Sequence, residues 1–214
     1  MRWRRDAVAA GWLAAAAFVA RIASADGGEP TYGRVSGDVT IVAGVGATLA
    51  PRGPRADADL RLRYLETAGL FASYEEGAAF GAGADPTRLV CTGAELRPLF
   101  LFRWLQGHET RRARWDLFVD SLGFELGAVF AQPQGAGFAS QPGVEVALEG
   151  EVPILEQATG PWIALNAGLR WSDQALASAV AREAADRSVF VAFTVAWHQV
   201  VTTHVIDFGD EAPQ

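Results

Sequence analysis

The chain contains no lysine: all 18 of its basic side chains are arginine. It has one cysteine, Cys91, one methionine and three histidines in 214 residues. A single cysteine excludes an intramolecular disulfide and any cysteine-cluster metal site. Acidic side chains number 25 against those 18, giving a formal net charge of −7 and a pI near 5.0. That balance argues against nucleic acid as a partner, which needs a basic face. Beyond residue 25 there is no continuous apolar run of membrane-helix length. No Pro/Ser-rich linker divides the chain, and no repeat has a fixed sequence, so one domain is expected. With 50% hydrophobic and 10% aromatic residues the chain is neither disordered nor of low complexity, and it is long enough to bury a core.

The first 25 residues have the layout of a secretory signal peptide. Arg2, Arg4 and Arg5 are a basic start, Ala7 to Ala20 an apolar stretch, and Ala23-Ser24-Ala25 a small-x-small cleavage pattern. A membrane anchor is the competing reading, but the run is short for a bilayer and Arg21 interrupts its end. No cysteine follows it, which argues against a lipoprotein. Cleavage takes away Arg2, Arg4, Arg5, Arg21 and Asp6 and moves the formal net charge from −7 to −10. The expected organisation is a signal peptide over 1–25, a short lead over 26–34, a β domain over 35–208 and a tail over 209–214.

What recurs after the leader is alternation, the period of a strand. In 141–154, Val144, Val146, Leu148, Val152 and Ile154 fall on one face and Glu145, Glu149 and Glu151 on the other. The same two-faced pattern occupies 35–49, 57–65, 89–104, 161–172 and 188–198. The stretch 113–131 changes phase, which predicts a β-bulge near Ser121 or, in competition, a short helix over 113–122. Helical spacing of Leu176, Ala179, Val180 and Ala184 suggests a short loop helix over 174–186.

Two architectures use such text. A soluble sandwich or lipocalin-like barrel buries the apolar face and binds a small apolar ligand; a transmembrane barrel turns it to lipid. Three features favour the second. The stripes persist for about 10 residues, the span of a tilted transmembrane strand. Aromatics (Tyr64, Tyr74, Trp104, Trp115, Phe130, Trp162, Trp171, Trp197) sit near stripe ends, where interfacial girdles belong. Charges of both signs lie at mid-strand on the polar faces.

On this strand pattern and the leader, the chain resembles the small outer-membrane β-barrels of Gram-negative bacteria. Gly37-Asp38-Val39-Thr40 and Arg63-Tyr64-Leu65-Glu66-Thr67 have the look of signature stretches. The resemblance implies an all-β, antiparallel up-and-down barrel of about eight strands over residues 34–208, lodged in the outer membrane among lipid. Seven strands are clear. An eighth comes either from 200–208 or from a split of 57–76 at Glu66-Thr67-Ala68-Gly69. Such barrels commonly end on an aromatic; Phe208 is near the end, with Gly209 to Gln214 beyond it.

In a narrow barrel the inward charges form one network, with Glu95, Arg97, Arg103, Glu125, Glu145, Glu149, Glu151 and Arg170 as its candidates and Arg61 and Arg63 as further counter-charges. No catalytic constellation, cofactor motif or metal site emerges. His198 and His204, six apart on a strand, would stand about 20 Å from each other, too far for one metal, and read as paired or solvent-exposed residues near strand ends. His108-Glu109 lies in an Arg-rich connection with Arg111, Arg112 and Arg114. His108 is the one candidate for acid/base chemistry on lipid; the plainer reading is a charged turn whose arginines meet lipid phosphate groups. The function expected is structural, interactive or narrowly transporting, with a lipid-modifying enzyme third.

Overall fold

Alternation with a two-residue period becomes eight antiparallel strands that close on themselves in sequence order. The computed structural model describes residues 31–80, 83–177 and 187–203. The leader, His204, Phe208, the tail and most of the 174–186 helix candidate lie outside them. The strands are β1 (Val39–Ala50), β2 (Gly53–Tyr64), β3 (Ala68–Glu76), β4 (Arg88–Leu96), β5 (Gly123–Gln132), β6 (Gly143–Pro153), β7 (Gly160–Trp171) and β8 (Arg187–Val201). Each pairs with the next, and β1 pairs with β8 from Val39↔Val201 to Leu49↔Val191, so no edge is left open. The fold is an all-β up-and-down barrel.

The eighth strand arises from the split of 57–76. Leu65 and Glu66 both take positive φ, 47° and 52°, between β2 and β3. The turn is held by Thr67 N–H on the Tyr64 carbonyl at 3.1 Å and by Leu65 N–H on Asp38 O at 2.9 Å.

Two expectations are corrected. The 89–104 stripe is not one strand. Pro98 has no N–H for a ladder and ends the pairing, and Leu99–Leu105 then forms helix α1. Phe100, Phe102 and Trp104 matched a period of two only by coincidence: Phe100 is buried, while Phe102 and Trp104 are exposed. The phase change in 113–131 is a helix, not a bulge. Ala113–Asp120 forms α2, whose Asp116 and Asp120, four apart, share its buried face. No helix among the described residues is long and apolar enough to cross a membrane, which says nothing of crossing by strands.

The connections sort to two ends. Residues 51–52, 77–80, 83–87, 133–142 and 172–177 lie at the hairpin end; 65–67, 97–122 and 154–159 lie at the other, with the lead before β1 and the exit from β8. The helical connection 97–122 packs against β6 at this terminal end, with Leu117, Asp120 and Ser121 beside Arg97 and Trp162, and forms a plug there.

The faces are divided without mixing. Outward residues Ile41, Val45, Leu60, Leu62, Leu70, Leu126, Val146, Leu148, Leu165, Leu169, Val191, Phe193 and Val195 are exposed, from 42% at Ile41 to 63% at Leu70. The inward apolar content is small, chiefly a cluster of Phe71, Leu89, Cys91 and Val129 and another of Ala147, Phe190 and Ala192. The rest of the interior is chiefly charged and polar, with Thr40, Thr48, Asn166 and Thr194 among the ions and Val42, Ala164 and Ala196 between them. Of the expected girdle aromatics, Trp162 is a correction: it points inward and is buried.

Candidate functional site

The lumen is built by alternation carried inward. In β2 every second residue from Arg55 to Arg63 faces the axis: Arg55, Asp57, Asp59, Arg61 and Arg63 are all buried. Glu75 of β3, Glu95 at the end of β4 with Arg97 just beyond, Glu125 of β5, Glu145, Glu149 and Glu151 of β6 and Arg170 of β7 meet them. An eight-stranded barrel is just wide enough for side chains to fill it. Glycines make the room. A Cβ at Gly69 would lie 2.7 Å from Glu95 Oε1, and one at Gly123 would lie 2.9 Å from both Arg97 Cγ and Glu149 Oε1.

The network has layers. Nearest the hairpin end, Arg55 Nε donates to Glu75 Oε2 at 2.6 Å, and Arg170 Nη2 donates to Glu75 Oε1 at 2.7 Å. Arg170 Nε also donates to Glu145. Its guanidinium lies over the Phe190 ring, 3.8 Å from the centroid. At the middle, Arg61 Nη1 sits among Glu95 at 2.7 Å, Glu149 at 2.5 Å and Glu125, while its Nε donates to Asp59 at 2.6 Å. Toward the terminal end, Arg63 pairs with Glu95 at 2.6 Å and Glu151 at 2.9 Å, and Arg97 with Glu149 at 2.5 Å and Glu151 at 2.7 Å. Every ion here has left water, so each depends on its partners.

Seven of the eight sequence candidates lie in this lumen. The eighth, Arg103, does not: helix formation places it outside the strands, pairing with Asp116 at 2.6 Å and Asp120 at 2.7 Å. His108 is exposed, and its main chain bonds Arg103 on both sides, N–H to the Arg103 carbonyl at 2.9 Å and carbonyl to Nη2 at 3.3 Å. Alternation alone would have added Arg55, Asp57 and Glu75, which share the register of the residues named. Of the two readings of His198, paired or exposed, the structure shows the paired one. The side chain is buried, its ring stacked on Trp162 with centroids 4.5 Å apart, and its Nε2 is 3.5 Å from Glu151 Oε2.

The carboxylates of Glu95, Glu125 and Glu149 converge within 4.8 Å, as metal ligands would, but Arg61 Nη1 already stands among them as their cation. Ser121 is near Glu151, yet its hydroxyl is spent on the backbone: it accepts from Glu151 N–H at 2.7 Å and bonds the Phe118 and Glu151 carbonyls. It is a fastener of the plug to β6, not a nucleophile paired with a base.

The plug has its own clamp. Arg34, at the end of the short lead over 26–34, pairs with Glu109 at 3.0 Å and with Asp120, and lies over the Phe100 ring at 4.3 Å. Asp116 accepts from Tyr32 Oη at 3.0 Å, Arg103 Nη2 at 2.6 Å and Thr110 N–H at 2.9 Å. Burial and this bond to Asp116 push the Tyr32 hydroxyl up to about 12. For Asp116, burial raises the carboxyl, but the donors from Thr110, Arg103 and Tyr32 outweigh it and hold the group below its usual value. A carboxylate depressed in the folded state stabilises above its unfolded pKa, and that contribution is lost as pH falls through the folded value. The clamp is therefore expected to loosen below about pH 4. Amide hydrogen exchange over 99–120, corrected for intrinsic rates, should accelerate on acidification. Asp116→Asn should cost about 1–3 kcal/mol and flatten that pH dependence.

Comparison with protein-family models and with curated proteins finds no match for the chain.

Proposed function

We propose that the protein is an integral outer-membrane β-barrel with a filled lumen, serving a structural or binding role rather than conducting solutes. The observation that carries this reading is the division of faces: leucine, valine, isoleucine and phenylalanine cover the outside of the wall, and the ions are inside. A water-soluble barrel needs the opposite, since a continuous apolar exterior of this extent promotes association. Lipid supplies the environment that such a surface requires. Strands of 9 to 15 residues suit a tilted crossing. Tyr74, Phe130 and Trp171 near the hairpin end, and Tyr64, Phe124 and Trp197 near the other, suit two interfacial girdles. At the terminal end Phe102, Trp104, Leu105 and Trp115 are exposed beside exposed Arg111, Arg112 and Arg114, a composition suited to lipid headgroups and their phosphates. The leader over 1–25 supplies the route of export.

Two of the competing readings lose their support. A lipocalin-like carrier has an apolar interior, whereas this interior is a charge network. A lipid-modifying enzyme needs an oriented base and nucleophile; among the described residues His108 is exposed on the plug, and Ser121 is committed to the backbone. Narrow transport is opposed by the ion-pair layers and by the plug across one end.

A fluorophore attached through Leu148→Cys, in folded protein reconstituted into vesicles with mid-bilayer brominated lipid, should be strongly quenched. The same label through Ser140→Cys, in the exposed 133–142 connection, should be quenched little. An unquenched label at 148 in folded protein would refute the membrane reading. Planar bilayers containing the protein should show no stepwise conductance; reproducible steps would refute the filled lumen.

A further inference from the structure

At the hairpin end the lumen opens into a cavity of about 180 Å³ above the first ion-pair layer. Its floor includes Arg55 and Arg170, and its walls include Leu89, Val129, Ala131 and Trp171. The two guanidiniums are 2% and 8% exposed, and both are fixed in place: Arg55 by Glu75, Arg170 by Glu75, Glu145 and the Phe190 ring. Each nevertheless keeps a buried Nη1 with no hydrogen-bond acceptor. A third such nitrogen, Arg97 Nη2, lies deeper in the lumen and stands 2.7 Å from Glu151 Oε2. Leaving a buried charged donor unmet costs about 1–3 kcal/mol, and here two such donors belong to residues of one cavity floor.

We propose that this mouth cavity is a binding site for a small amphiphilic anion, its oxygen head on Arg55 and Arg170 and its apolar body against Leu89, Val129 and Ala131. The head is a carboxylate or a phosphate, either of which matches the guanidinium fork. Glu75 and Glu145 balance these two arginines, and the lining also carries Arg52, paired with Asp85 at 2.8 Å, and the carboxylate of Asp173, so the cavity has no excess of positive charge. Selection then rests on orphaned donors, which favours an ionised oxygen over a neutral one because charge-assisted bonds are the stronger. The dimensions admit a compact organic acid or the head of a longer molecule. Nothing in the site depends on the bilayer, so it is testable in detergent whether or not the membrane reading stands.

The full chain, folded in a non-ionic detergent, is titrated with benzoate, with phenyl phosphate and with benzamide as the uncharged counterpart, by calorimetry. Saturable one-site binding of benzoate or phenyl phosphate is expected, with benzamide about tenfold weaker or more. The stronger of the two anions identifies the head as carboxylate or phosphate. Arg55→Lys should weaken anion binding about tenfold by removing the fork. Because Arg55 also holds Glu75, a second variant leaves both arginines intact: Val129→Phe fills the cavity and should abolish binding while heat-modifiable gel mobility reports a folded barrel. No saturable binding to wild type, equal affinity for benzamide, or unchanged binding in folded Val129→Phe would each overturn the proposal.

Discussion

Arg61→Leu is expected to destabilise the barrel by about 3–5 kcal/mol, the usual consequence of removing one partner from a buried ion pair and stranding the other. Here a single nitrogen stands among Glu95, Glu125 and Glu149, and the same guanidinium holds Asp59. Its loss brings three buried carboxylates face to face without their cation. The measurement is denaturant unfolding of the reconstituted protein, followed by gel mobility and tryptophan emission. The effect should depend on its partners. In the Arg61→Leu background, Glu125→Gln removes one of the opposed carboxylates while an amide oxygen remains for Asn166 Nδ2, now 2.9 Å from Glu125. The double variant should therefore recover part of the loss, a coupling that independent sites would not show. An Arg61→Leu variant as stable as wild type would mean that the network contributes nothing to the folded state.

Leu148→Arg is expected to cost about 2–4 kcal/mol, the penalty for a guanidinium on the lipid face near the bilayer midplane. Leu148 is at the centre of β6, 58% exposed, opposite Phe124 of β5 and Ala167 of β7. The sign of the experiment comes from that exposure. Were the outer surface in water, an exposed leucine replaced by arginine would change stability by no more than about 0.5 kcal/mol. The two environments thus differ by several-fold in the same unfolding measurement. A matched change near the end of the same strand, Val152→Arg, should cost less, because the penalty falls toward the interface. Equal and negligible costs at 148 and 152 would remove lipid from the account of this surface.

How much was legible beforehand follows from which features are local. Strand alternation is local: a side chain's face depends only on the parity of its position, so Leu148 outward and Glu149 inward could be read as a pair, and the all-β class with it. The lumen charges Glu95, Arg97, Glu125, Glu145, Glu149, Glu151 and Arg170 were legible for the same reason. Parity does not say which face is inside; that depends on the medium around the wall and on closure of β1 onto β8. It also fails where another period imitates it. Phe100, Phe102 and Trp104 kept strand parity while the chain turned helical at Pro98, and this took Arg103 out of the lumen and into the plug. The split of 57–76 is one of two sequence options for the eighth strand and carries no strong local mark, because Leu65 and Glu66 lack the glycine or asparagine that usually signals a positive-φ turn. Tertiary structure decided the pairings. Arg61 meets Glu149 across 88 positions and Arg34 meets Asp120 across 86, contacts between residues brought together only when the barrel closes and its plug docks. The sequence by itself determined the strands and their two faces, because parity is a property of neighbours. Which charges became partners, and that two arginines at the mouth were left one acceptor short, was decided by the register and radius of the closed barrel.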